Sequence, residues 1–83
     1  MTVEIQLDDL NIAEVLQVSL ETGDDMAIIY AKPFQIRALC EEINEAVPYD
    51  MRMSKADIMN TMAGVEFLGL GDVIIKSIDP RKG

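Results

Sequence analysis

Histidine is absent from all 83 residues. That gap removes Ser-His-Asp and Cys-His nucleophile systems, HExxH zinc sites and every imidazole general base. What remains for chemistry is a set of carboxylates, a few Lys and Tyr side chains, and a single thiol, Cys40. A reactive thiolate wants positive surroundings, and Cys40 is followed by Glu41 and Glu42, so it reads as an inert buried thiol. Gly69-Leu70-Gly71 has the outline of a phosphate loop. However, Ile74 stands where a third glycine belongs, no Lys-Ser/Thr follows, and the next segment is strand-like where a nucleotide fold needs a helix N-terminus. These glycines read as a bend or bulge beside a final strand. Asp8-Asp9 and Asp24-Asp25 are adjacent pairs without the alternating oxygens and glycine of a calcium loop, and adjacent acids in turns are usually solvated. A chain this short also has little material with which to enclose a substrate. No catalytic residue, metal ligand or cofactor is assigned, and the expectation is a protein that is not an enzyme.

Charge is the most uneven property of the chain. Residues 2–31 contain Glu4, Asp8, Asp9, Glu14, Glu21, Asp24 and Asp25 and no base, whereas from Lys32 onward eight acids meet seven bases. The net charge of −8 therefore resides almost wholly in the first part. Such a field repels nucleic acid and anionic membrane and attracts basic protein surface, so direct binding to either of the first two is not expected. The seven acids are the first candidates for partner contact. Phe34 joins them: helical spacing places it among Glu41 and Glu45, where it either anchors a basic partner or tucks into the core from a frayed helix start. Met51 and Met53 flank Arg52 between two helical segments, and flexible thioethers there suit either a contact face or core filling.

The elements that must position these groups are legible to differing degrees. Residues 2–7 alternate, with Val3, Ile5 and Leu7 opposite Thr2, Glu4 and Gln6, the period of a half-buried strand. Asp8-Asp9-Leu10-Asn11 reads as a turn. Alternation returns at Leu16, Val18 and Leu20, passes Thr22-Gly23-Asp24-Asp25 and resumes over residues 26–30, which predicts a hairpin. A competing parse makes residues 9–20 a helix capped by Asp8 or Asp9, but its apolar residues spread round most of the wheel. The second part is helical: Pro33 suits a first turn, and Ile36, Leu39, Cys40, Ile43 and Val47 form one stripe that Pro48 ends. Ser54 with Asp57 resembles a capping box before Ile58, Met62 and Val65. The Val-Ile-Ile run within residues 72–78 is strand-like, and residues 79–83 form a polar tail.

The predicted fold is a small single α+β domain over residues 1–83, with a mainly antiparallel sheet, order β-β-β-α-α-β, and two helices packed on one face. A lone cysteine leaves no intrachain disulfide, and the first residues carry no basic and apolar leader pattern, so the expected setting is cytoplasmic. Aliphatic side chains exceed what a thin core can hide, which points to a homo-oligomer. In size, acidity and lack of catalytic residues the chain resembles the small inhibitors encoded by phages and mobile elements, including anti-CRISPR proteins. That resemblance is one of general character, with no motif from which a residue role could be transferred. It implies an acidic protein-binding module that engages a basic surface, as an inhibitor of a nucleic-acid-binding machine. The alternative is a structural or assembly subunit whose acids serve only solubility.

Overall fold

The computed structural model of the chain describes residues 2–23 and 25–78. Asp24 and the polar tail expected at residues 79–83 lie outside them. The described elements run β1 (Thr2–Gln6), α1 (Ile12–Thr22), β2 (Met26–Ala31), α2 (Pro33–Ala46), a 3-10 turn (Tyr49–Met51), α3 (Lys55–Met62), β3 (Leu68–Leu70) and β4 (Val73–Ser77). One sheet has the strand order β1-β2-β4-β3, in which β1 with β2 and β2 with β4 are parallel and β3 with β4 is antiparallel. This corrects the predicted fold: a mixed, mostly parallel sheet with three helices replaces the mainly antiparallel β-β-β-α-α-β arrangement with two.

The first hairpin is where the prediction fails. Leu16, Val18 and Leu20 alternate in sequence but belong to α1, where steps of 100° turn Val18 inward and leave Leu16 and Leu20 exposed. Those two surface leucines smear the apolar stripe and disguise the helix. Its start is set by neither Asp8 nor Asp9. The Asn11 side chain accepts from the Glu14 N–H at 2.9 Å, and Glu42, from α2, accepts from the Ile12 N–H at 2.8 Å. Gly23, read as a hairpin residue, instead closes the helix at φ +61°, a conformation glycine adopts without steric cost.

The later elements agree better with expectation. Pro33 opens α2, whose Ile36, Leu39 and Cys40 are fully buried. Ser54 and Asp57 form the capping box of α3, with bonds of 3.1 and 3.4 Å. That helix stops at Met62, so Val65 lies beyond it and is exposed. Strand β3 was not foreseen. It forms a tight hairpin with β4 through Gly71, at φ +60°.

The order of the strands decides what is covered. Both parallel crossovers, β1 to β2 and β2 to β4, step across the sheet in the same direction. Given the right hand that such connections take, both sets of helices fall on the same face. Ala27, Ile29, Ala31, Val73 and Ile75 of β2 and β4 are buried beneath them, with Leu10, Val15, Val18, Ile36 and Leu39 from the helical layer. The opposite face carries no helix among the described residues, and the segment Gly64, Val65, Glu66 and Phe67 borders it at Tyr30 and Lys76. It carries Thr2, Glu4 and Gln6 on β1, Met26, Ile28 and Tyr30 on β2, and Ile74 and Lys76 on β4.

Candidate functional site: an acidic corner beside a bare sheet face

A doubly wound sheet creates a ligand crevice where its crossovers reverse direction. Both crossovers here run the same way, so the carboxyl ends of the strands form no such crevice. What they form is a corner. The chain leaves β1 through exposed Asp8 and Asp9, enters α1 at exposed Glu14, and returns along β2 to Lys32 and exposed Phe34. Two adjoining depressions mark it. One, of about 320 Å³, is lined by Gln6, Leu7, Asp8, Asp9 and Glu14. The other, of about 260 Å³, shares Gln6, Leu7 and Asp8 and adds Tyr30, Phe34 and Ile78 among its walls.

Gln35 holds the corner together. Its side-chain amide donates to the carbonyls of Leu7 at 3.2 Å and Asp8 at 2.9 Å, while its oxygen accepts from the Lys32 N–H at 2.9 Å. One side chain thus ties the acidic bend to the first turn of α2. Replacing Gln35 by Ala is expected to lower stability by about 1–2 kcal/mol, because one partly buried bond, one exposed bond and one at the helix start are lost together. Hydrogen exchange over residues 8–11 should quicken more than elsewhere. Unchanged exchange there would show that the bend is held by other contacts.

The candidate contact residues divide between this corner and elsewhere. Asp8, Asp9, Glu14 and Phe34 meet in it, and Glu4 borders it, accepting a long 3.4 Å bond from the Tyr30 hydroxyl. Phe34 is 66% exposed, which settles its two readings in favour of the surface, and the Lys32 ammonium stands 6.0 Å from its ring. Glu21 lies in the last turn of α1, accepting from Gln17 at 3.0 Å, and half-buried Asp25 precedes β2, both at the far end of the molecule. Eleven residues of α1 separate the two ends by roughly 16 Å. Met51 is exposed beyond α2, whereas Met53 is half-buried against the core and held through its backbone. The Asn44 side chain accepts from its N–H at 2.8 Å and donates to its carbonyl at 3.1 Å. Met53 therefore contributes to packing.

Sequence reasoning missed Tyr30 and Gln35. For Tyr30 a signal existed: residues 26–31 are apolar on both alternating faces, the mark of a parallel strand, and one of those faces proves to be open. For Gln35 only its position three residues after Lys32 was available.

Charge at the corner is mixed, because Lys32 lines the second depression along with Asp8. Among the described residues the ion pair of Arg37 with Glu41 at 3.1 Å lies away from the corner, and none of Glu4, Asp8, Asp9 or Glu14 is paired. No group of three acids or thiols that could hold a metal ion occurs among the described residues. A further groove, of about 370 Å³, separates α1 from the end of α2 and the Gly71 turn; Ile12, Leu16, Ile43, Val47 and Leu70 line it, and no charged side chain does. Ser19 supplies the polar side chain among its lining residues. No described helix is long and apolar enough to cross a membrane.

Cys40 is fully enclosed. Burial, helped by the Glu41 charge, pushes its thiol above the ordinary value. As pH rises, the unfolded chain releases this proton before the folded one, so stability is full below the ordinary value of 9.0 and declines above it. The denaturation midpoint should fall between about pH 8 and about pH 10, and Cys40→Ala should flatten that slope. A midpoint whose pH dependence is the same in both proteins would remove the thiol from the account.

No family model, curated protein or solved structure matches this chain.

Proposed function

We propose that the chain is a non-enzymatic protein-binding module that uses its acidic corner to hold a basic surface of another protein. The partner's surface is of the kind with which a nucleic-acid-binding machine grips its substrate, and occupation of that surface inhibits the machine in the cytoplasm. One observation carries this reading: Asp8, Asp9 and Glu14, unpaired among the described residues, share a corner with Tyr30 and exposed Phe34. Carboxylates that are not already paired can accept Lys and Arg donors without first breaking a bond. An exposed aromatic ring beside them supplies apolar area of the kind found at interface hot spots.

The corner is not a copy of a nucleic acid. Duplex DNA presents one charge per ~1.7 Å, far more densely than three or four carboxylates spread over a loop and a helix turn. Competition for a few Lys or Arg side chains fits better than imitation of a duplex. The bare sheet face does not itself bind nucleic acid on this reading, because a net charge of −8 opposes the approach of phosphate.

The test is a paired capture from the native cell with the wild-type chain and with the Asp8→Lys, Asp9→Lys double variant as baits. A protein with a basic contact surface should be retained by the first and captured in markedly smaller amount, at low salt and short incubation, by the second. Identical retention by both baits would sink the proposal, and so would a captured partner whose contact surface is acidic.

A further inference from the structure

A mostly parallel sheet is normally covered on both faces, because its crossover helices and its apolar strands demand it. Among the described residues this one carries helices on one. Met26, Ile28, Tyr30 and Ile74 occupy the open face, and exposed Phe67, Val65 and Ile78 extend the apolar surface at its rim. We infer that this face is the interface of a twofold homodimer, in which a second copy of the chain supplies the missing layer.

Charge identifies the occupant. The chain carries −8 overall, yet on the sheet's open face the strands present one acid, Glu4, and one base, Lys76, and the rim segment that supplies Val65 and Phe67 adds one further acid, Glu66. An acidic protein has few places where a like-charged copy can approach, and an apolar face with one net negative charge out of eight is such a place. A foreign basic partner would gain little from that single charge and is better served by the corner.

The positions of the two charges make the face self-complementary. Glu4 aligns with Ile28 and Ile74 across the sheet, while Gln6 aligns with Tyr30 and Lys76. Lys76 is therefore two strands over and two residues along from Glu4, roughly 12 Å away at ordinary strand spacings. The midpoint falls on β2 between Ile28 and Tyr30. A twofold axis lying in the interface through that midpoint, perpendicular to the line joining the charges, places each Glu4 against the partner's Lys76. The same rotation lays Ile28 and Ile74 against apolar side chains of the second copy. Residue i meeting j while j meets i is what a closed isologous contact requires.

The strands span roughly 350 Å² per copy, enlarged by the rim residues, which is less than the ~800 Å² per partner of a standard interface. Dissociation in the micromolar range is expected, and measurement must cover it.

Sedimentation equilibrium on the full chain, from about 1 to about 500 μM, tests the inference, with circular dichroism to confirm that each variant is folded. Wild type should show a monomer–dimer equilibrium. Ile74→Asp should raise the dissociation constant at least about tenfold, because a charge would enter the apolar centre. Glu4→Lys should weaken the dimer several-fold, even though it lowers the net charge and general repulsion alone would then strengthen it. Lys76→Glu should weaken it as well. The double variant Glu4→Lys, Lys76→Glu should return to within about threefold of wild type, since the swapped pair is again complementary. Asp8→Lys with Asp9→Lys should leave the dimer in place, which keeps this result separate from the fate of the corner. A monomer at all concentrations would overturn the inference. So would a dimer indifferent to Ile74→Asp, or a double swap no tighter than the single variants.

Discussion

Reversing Asp8 and Asp9 to Lys is expected to slow association with a basic partner by roughly tenfold at low salt and to change dissociation much less, because exposed charges at the edge of a contact act chiefly by steering. Raising salt from about 50 to about 200 mM should reproduce most of this in the wild-type chain, since the Debye length then shrinks below ~10 Å. Phe34→Ala should do the opposite: association unchanged and dissociation faster, by roughly ten- to a hundredfold, as a central aromatic anchor is lost. The corner is thereby divided into a steering part and a holding part. Stopped-flow or surface-based kinetics with the captured partner would measure both. Rates insensitive to charge and to salt would mean that the acids of this chain are only a solvated face.

Leu39→Ala is expected to lower stability by about 3 kcal/mol, a large share of the ~4–12 kcal/mol available to a chain of this length. Leu39 is completely buried on α2, against the sheet face that the helices cover. The equivalent truncation of Leu20, 79% exposed on the outer side of α1, should shift stability by less than about 0.5 kcal/mol. Urea titrations of the two variants side by side are the measurement, with equal slopes confirming that only stability has changed. Similar costs at the two positions would mean that α1 does not face the core as described.

That contrast also explains why half of the fold was legible and half was not. In α2 every apolar residue of the stripe serves the core or lies near it, so the periodicity of Ile36, Leu39, Cys40 and Ile43 reads directly. In α1 both leucines, Leu16 and Leu20, are exposed, and a stripe contaminated by surface leucines looks like alternation. The capping box at Ser54 was readable because both of its partners lie within four residues. The cap that Glu42 provides for α1 was not, because its two members lie thirty residues apart.

The continuous apolar runs at residues 26–31 and 73–75 held the information that the sheet is parallel. The alternation reading passed over it, taking one face of each strand as core and leaving the other unexplained. The error had little effect on the placement of the acids. A helix between Asp9 and Asp25 carries the chain from one end of the sheet to the other, as the predicted strand would have done. Asp8 and Asp9 therefore still sit at the end opposite Glu21 and Asp25.

By itself, the sequence determined what this protein lacks and how its charge is distributed: no imidazole, one thiol among acids, and seven carboxylates before the first base. These are properties of composition and order, and no folding can alter them. The tertiary structure decided which groups meet. It joined Asp8, Asp9 and Glu14 to Tyr30 and Phe34 through Gln35, separated Glu21 and Asp25 from them, and packed half-buried Met53 against the core. It also left one face of the sheet without helices among the described residues, because two crossovers of the same hand stepped in the same direction. Strand order is set by contacts between residues far apart in the chain, and local patterns carry no record of it.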